Sequence, residues 1–226
     1  MTDILQILSE KKTFLFDMDG TLVNTEPMHA KAASIVLERM GIEIKLEEFI
    51  HTFYGMSDHV VLKNLCPQMT AEEIVHAINL KNEILVDLFQ TLPKNQKEKY
   101  LTPGVYQFLE KLNSQQKTCA VVSASEDIIV DETLKCFELD SYMKIQFGRN
   151  QTAQTKPHPD PYLEAIKRLL SHIDETLIFE DSPTGLKSAI ATGASVIRIT
   201  EFAHPNSEIE LLRGQFFEHV NFHKFL

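Results

Sequence analysis

The sequence predicts an α/β protein, a Rossmann-like doubly wound parallel sheet with an inserted helical segment. Three observations carry that expectation. Short apolar runs alternate with stretches of helical period. Helix start and stop signals fall between the runs. One long block after the first run lacks any strand signal.

The runs are Thr13–Phe16, Thr118–Val122, Lys144–Phe147, Thr176–Phe179 and Ser195–Ile199. Each is short, apolar and bounded by polar residues, as expected of strands buried on both faces. Between them, Thr102-Pro103 reads as an N-cap followed by proline at the first helical position. Val105, Phe108, Leu109 and Leu112 then recur at helical spacing. Asp160-Pro161 reads as a second helix start, and Gly193 as a stop after Thr184–Thr192. Strand–helix alternation implies parallel strands with helices on both faces. The interval 24–95 is helical throughout, with Thr70 and Glu73 spaced as a capping box. It is too long for one crossover helix. The expected organisation is therefore a core of residues 1–23 and 96–226, with a helical cap at 24–95. The charged stretch "PKNQKEKY", Pro93–Tyr100, is expected to be the return linker.

Composition narrows the function. Of 226 residues, 32 are acidic and 22 basic, giving a net charge of −10. That field repels nucleic acid and anionic membranes, so neither is an expected partner. Three cysteines, Cys66, Cys119 and Cys136, form no Cys-x-x-Cys pair. A reduced, cytoplasmic setting is the expectation. A monomer is expected, and no apolar stretch is long enough to span a membrane.

The chemistry sits where the runs end. "FLFDMDGTLV" places Asp17 and Asp19 after the first run. Ser123 follows the second, Lys156 lies in the loop beyond the third, and Glu180-Asp181 follow the fourth. Ligands of open α/β sheets bind beyond the carboxyl ends of strands. Taken singly, these residues fit a solvated turn, a strand-end hydroxyl, a surface lysine and a helix N-cap. Their convergence on one edge argues for a site. A calcium loop needs Gly at its sixth position and Glu at its twelfth; here stand Leu22 and Met28. An oxygen-rich site suits Mg2+. A lysine and a hydroxyl can hold phosphoryl oxygens. One carboxylate can attack phosphorus while another moves protons. His29 could assist proton transfer, or could be an ordinary helix histidine.

These motifs resemble those of the haloacid dehalogenase superfamily, in the branch with a helical cap after the first strand. "DMDGT", "VVSAS", "TKPHPDPY" and "FEDSPTGLKSAIATGA" resemble its four motifs in order. The resemblance implies Asp17 as nucleophile, Asp19 as acid/base, Ser123 and Lys156 as phosphate-binding residues, and Mg2+ held by Asp17, Asp19, Glu180 and Asp181. Family members that act as dehalogenases generally lack an aspartate at the position of Asp19, so its presence favours phosphoryl transfer. The cap segment "GMSDHVVL" resembles a substrate-binding stretch of β-phosphoglucomutases. It places Gly55 and Asp58 with His29, Lys81 and Ser125 as substrate-binding candidates. Asp58 stands where those mutases carry an arginine, and Glu126 and Asp127 stand where they carry a lysine and an asparagine. The resulting expectation is a Mg2+-dependent phosphatase of a small phosphorylated metabolite. A phosphomutase and a non-catalytic binding protein on the same fold are the alternatives.

Overall fold

A computed structural model describes residues 4–53, 56–203 and 206–226. The chain divides into two compact units, one of Met1–Asn24 with Gln96–Leu226, the other of Thr25–Asn95.

The first unit is built on a six-stranded sheet. In chain order it contains α1 (Ile4–Glu10) and β1 (Thr13–Phe16) before the second unit intervenes with α2 (Glu26–Arg39), α3 (Leu46–Phe53), α4 (Asp58–Leu65) and α5 (Ala71–Thr91). The segment α6 (Lys94–Lys97) straddles the return. The first unit resumes with α7 (Val105–Ser114), β2 (Thr118–Val122), α8 (Asp127–Cys136), β3 (Ile145–Phe147), α9 (Asp160–Arg168), β4 (Thr176–Glu180), α10 (Pro183–Ala191), β5 (Ser195–Ile199), α11 (Ser207–Glu210) and β6 (Phe217–His219).

The strand order is β3-β2-β1-β4-β5-β6, and every pairing is parallel. The chain winds outward from β1 to β3, then returns to the other side of β1. That reversal opens a crevice at the carboxyl ends of β1 and β4, the place where such sheets bind ligands. Register fixes what faces it. Phe16 is level with Val121 and Phe179, and the Asp17 amide donates to the Phe179 carbonyl at 2.9 Å.

Strand alternation sends successive β1 side chains to opposite faces. Phe14 and Phe16 enter an aromatic cluster with Phe108 of α7, Phe179 of β4, and Phe222 and Phe225 near the end of the chain. The Phe16 and Phe179 rings stack at 4.9 Å between centroids. Leu15 points the other way, into a layer with Ala120, Val122, Phe147, Ile178, Leu186 and Val196. All three cysteines are buried thiols. Burial pushes the Cys119 thiol up to about 12.

The second unit has its own core of Ala30, Val36, Leu37, Phe49, Phe53, Val61, Leu62, Cys66, Ile74 and Ala77. The capping box at α5 is formed: Glu73 N donates to Thr70 Oγ1 at 3.3 Å, and Thr70 N to Glu73 Oε2 at 2.7 Å. Each shared bond satisfies an amide that the first helical turn leaves open.

Several elements differ from the sequence expectation. The helix expected from Thr102-Pro103 begins at Val105, with Gly104 at φ 82° as its N-cap. Thr102 is instead fully buried, and its hydroxyl donates to the Thr21 carbonyl at 2.6 Å. A tertiary acceptor has displaced the local cap. The return segment 93–100 does span the boundary between the units, and it is folded as α6 and a 3₁₀ turn at Glu98–Tyr100. The run at 144–147 pairs from Ile145, and β4 extends to Glu180. α1 and β6 were not expected at all. β6 has three residues, two of them exposed, too few to show a period.

The aromatic cluster gives a direct test. Phe222 is fully buried against Phe16, Phe108, Phe179 and Phe225. Phe222→Ala is expected to cost the first unit about 3–5 kcal/mol, as lost burial plus a cavity. Urea unfolding followed by far-UV circular dichroism measures it, and a loss below about 1 kcal/mol would contradict this packing.

Candidate active site

Four chain segments meet at the carboxyl edge of β1, β2 and β4. Asp17 continues β1, Ser123 continues β2, Glu180 ends β4 with Asp181 beside it, and Lys156 arrives from the loop between β3 and α9. The Ser123 amide donates to the Phe147 carbonyl at 2.8 Å, holding that end of β2 in the ladder with β3.

At the centre lies the Lys156 ammonium. It donates to Asp17 Oδ1 at 2.7 Å and to Glu180 Oε1 at 2.6 Å. The lysine side chain is 4% exposed. Burial pulls its ammonium toward deprotonation, but the Asp17 and Glu180 charges outweigh that, and its affinity for the proton rises above the ordinary lysine value. Lys156 therefore stays charged.

Glu180 is fully buried, and its carboxylate is saturated. Oε1 accepts from Lys156 and, at 2.8 Å, from the Tyr162 hydroxyl. Oε2 accepts from the Asp181 amide at 3.1 Å, the Ser182 amide at 3.3 Å and the Ser182 hydroxyl at 3.2 Å. The backbone of α10 comes so close that a Cβ at Gly185 would overlap this carboxylate. Glycine at 185 is required by that approach. Ser182 also caps α10, its Oγ accepting from the Gly185 amide at 3.1 Å.

Asp181 is treated differently. It is buried, yet its Oδ1 has no hydrogen-bond partner among the described residues. Gly20, at φ 90°, lies against it so closely that a Cβ there would collide with the carboxylate. Asp17, Glu180 and Asp181 can each offer one oxygen, with all three oxygens within 4.8 Å of one another. An unpartnered buried carboxylate oxygen costs free energy unless a cation meets it. Buried carboxylates of this kind fit a hard divalent cation. With Glu180 already saturated, Asp17 and Asp181 have the spare lone pairs.

Asp19 sits apart from this triad. Its Oδ2 accepts from Ser125 Oγ at 2.9 Å and Ser123 Oγ at 3.3 Å. Ser123 Oγ in turn accepts from the Ser125 amide at 3.0 Å. The two serines thus bind the second aspartate.

The remaining candidates lie in the helical unit. Lys81 of α5, 4% exposed, donates to Asp58 Oδ2 at 2.7 Å and lies 3.3 Å from His29 Nδ1. His29, Asp58 and Lys81 form one polar cluster among apolar helices. Gly55 lies outside the described residues. Sequence reasoning passed over Tyr162, Ser182 and Arg198. Arg198 Nε donates to the Asp181 carbonyl at 3.3 Å, and its Nη1 to Glu218 Oε2 at 2.6 Å. Tyr162 ends the stretch "TKPHPDPY", but nothing in its spacing marks the face of α9 it occupies.

Fold and edge together define a doubly wound α/β protein that presents a cation-ready carboxylate group and a buried lysine at one switch point. Sequence comparison gives the family: the haloacid dehalogenase-like hydrolase model matches residues 14–199, and the chain belongs to that family. A putative pyrophosphatase, PpaX, of Caldanaerobacter subterraneus subsp. tengcongensis is 28% identical over 188 residues, 82% of this chain and 80% of that protein. A phosphorylated carbohydrates phosphatase of Thermotoga maritima is 28% identical over 180 residues, 79% of this chain and 80% of that protein. Among solved structures, CbbY from Rhodobacter sphaeroides in complex with phosphate shares the fold with a TM-score of 0.78 at 20% identity, covering 94% of this chain and 95% of that one. No helix among the described residues is long and apolar enough to cross a membrane.

Burial gives the site a pH signature. Desolvation, opposed by Lys156 and reinforced by Glu180 and Asp19, pushes the Asp17 carboxyl up to about 8 from an ordinary 3.8. Asp181 is raised in the same direction, first by burial and then by Asp17 and Glu180. Between pH 4 and 8 the folded state thus holds a proton that the unfolded chain has released, so stability falls as pH rises through that window. Asn at 17 cannot titrate, and it relieves Asp181. In chelator, the melting temperature of Asp17→Asn minus that of wild type is expected to climb from pH 5 to pH 8. A difference independent of pH would show that the carboxyl is not strained by burial.

Proposed function

We propose that this protein is a Mg2+-dependent phosphatase that hydrolyses a small phosphate monoester, of a sugar or polyol, through an aspartyl-phosphate on Asp17. One observation carries the reading: a buried Asp17, tied at one oxygen to Lys156, stands beside the unpartnered Oδ1 of Asp181 and two residues before a second aspartate. The name of the Thermotoga maritima relative, a phosphorylated carbohydrates phosphatase, supports the substrate class, while that of PpaX, a putative pyrophosphatase, supports phosphate hydrolysis only.

Asp17, the Asp19 carbonyl and Asp181 would hold the cation, with Glu180 fixing their surroundings. Bound there, Mg2+ supplies positive charge that offsets the carboxylates and the phosphoryl oxygens. The protein's own groups do the rest. Lys156 holds Asp17 Oδ1, which leaves Oδ2 to attack phosphorus. The P–O bond to the leaving alcohol breaks as Asp19 gives that oxygen a proton. Asp19 then takes a proton from water. The water oxygen attacks the phosphorus of the acyl phosphate, freeing phosphate and restoring Asp17. Ser123 and Lys156 hold phosphoryl oxygens through these steps.

The neutral-ended substrate is inferred from the charge of the candidate residues in each unit, taken by itself. A substrate with two phosphates needs a cation for each. Lys81 is already neutralised by Asp58 at 2.7 Å. Glu126 and Asp127, at the start of α8, add acid rather than base. A carboxylate near a distal phosphate repels it by about 1 kcal/mol or more at contact distance. A single phosphate with a hydroxylated, uncharged remainder avoids that cost.

A panel of phosphorylated metabolites assayed for phosphate release with Mg2+ tests this reading. Sugar or polyol monophosphates are expected to turn over, chelator to abolish the activity, and Ca2+ to inhibit, since it accepts looser geometry and more ligands. Asp17→Asn is expected to lower kcat by about a thousandfold or more while leaving the protein folded. Activity within tenfold of wild type in that variant would remove Asp17 from the mechanism. Rapid conversion of β-glucose 1-phosphate to glucose 6-phosphate in the presence of the 1,6-bisphosphate would make the protein a mutase instead.

A further inference from the structure

We propose that Tyr162 is a positioning residue that sets how the Lys156 ammonium is shared between Asp17 and Glu180; the proposal rests on the phosphatase reading above for its kinetic consequences only. Tyr162 is fully buried on α9, near the start of the helix that follows the lysine loop. It touches two members of the site in two ways. Its hydroxyl donates to Glu180 Oε1 at 2.8 Å, the same oxygen that accepts from Lys156 at 2.6 Å. Its ring lies under the ammonium, with Lys156 Nζ 4.9 Å from the ring centroid.

The hydroxyl has a specific consequence. Lys156 Nζ is held between two carboxylate oxygens at nearly equal distances, 2.7 Å to Asp17 and 2.6 Å to Glu180. Each oxygen draws the ammonium according to the negative charge it can concentrate. Glu180 Oε1 already serves a neutral donor, so its pull on the lysine is weakened. Asp17 Oδ1 has no such competitor among the hydrogen bonds described. Remove the phenol and Oε1 is left to Lys156 alone. The ammonium then shifts toward Glu180 and away from Asp17, the atom pair on which attack depends. The ring contributes separately: a cation over an aromatic face is stabilised in a buried site. Phenylalanine at 162 keeps that contact and the place of the ring in the buried apolar layer that also holds Leu15, Phe147 and Ile166, and deletes only the donor.

Tyr162→Phe isolates the hydroxyl. In protein labelled with 15N at lysine, a buried ammonium held in ion pairs gives its own Nζ resonance, assigned by comparison with Lys156→Met. Tyr162→Phe is expected to shift that resonance in the metal-free protein, independently of any substrate. With a monophosphate substrate and Mg2+, kcat is expected to fall about five- to tenfold with KM changed less than twofold, because the hydroxyl acts through the lysine rather than on the ground-state substrate. Tyr162→Leu, which also removes the ring, is expected to lose more of kcat. Circular dichroism and the melting curve of Tyr162→Phe check that the fold is retained. An unchanged Nζ resonance with kcat within twofold of wild type would overturn the proposal, as would a rise in KM alone. A shifted resonance in a protein that hydrolyses no monophosphate would leave the positioning role standing and remove the phosphatase reading.

Discussion

Everything at the carboxyl edge of the sheet depends on one buried ammonium between two carboxylates. Asp17, Glu180 and Asp181 are gathered where water is scarce, and unpaired they would repel one another by several kcal/mol. Lys156 makes the gathering possible by serving Asp17 and Glu180 at once. The arrangement is asymmetric. Glu180 is saturated with five donors and cannot turn outward. Asp181 keeps an oxygen that no described residue satisfies. The fold thus spends one carboxylate on holding the lysine and leaves another ready for a cation.

The two glycines at the site follow from the same constraint. Packing three carboxylates within 4.8 Å requires the surrounding backbone to approach without side chains in the way. Gly185 lets α10 lie against Glu180, and Gly20 lets the turn after β1 lie against Asp181. Gly20 additionally has the left-handed φ of 90°, which a side chain would strain. Substitution at either position acts on the carboxylates before it acts on the backbone.

The sheet and its edge were legible because Asp17, Ser123, Glu180 and Asp181 sit where apolar runs end. Asp17, Ser123 and Asp181 are readable from position alone, since a strand delivers its last residue to a known edge whatever its neighbours do. Lys156 was legible only in company, because a loop lysine acquires meaning from the carboxylates it reaches. Thr102 shows the opposite case. Its local signal was a helix cap, and a carbonyl at Thr21, far away in sequence, took the hydroxyl instead. Tyr162 depends on which face of α9 turns to β4, and spacing along the chain does not disclose that. The segment 93–100 is polar and rich in helix formers, so the same composition served a linker and a helix equally well.

The central place of β1 also governs the order in which the molecule can be assembled. β1 precedes both of its partners in the chain, residues 118–122 and 176–180. A ribosome therefore makes Phe14 and Phe16 well before Phe179, which stacks on them, can cover them. The helices of residues 25–95 find their contacts among themselves and can close early. The sheet waits for its fourth strand, and a nascent chain halted before Glu180 would hold a finished helical unit beside an aromatic strand open to self-association.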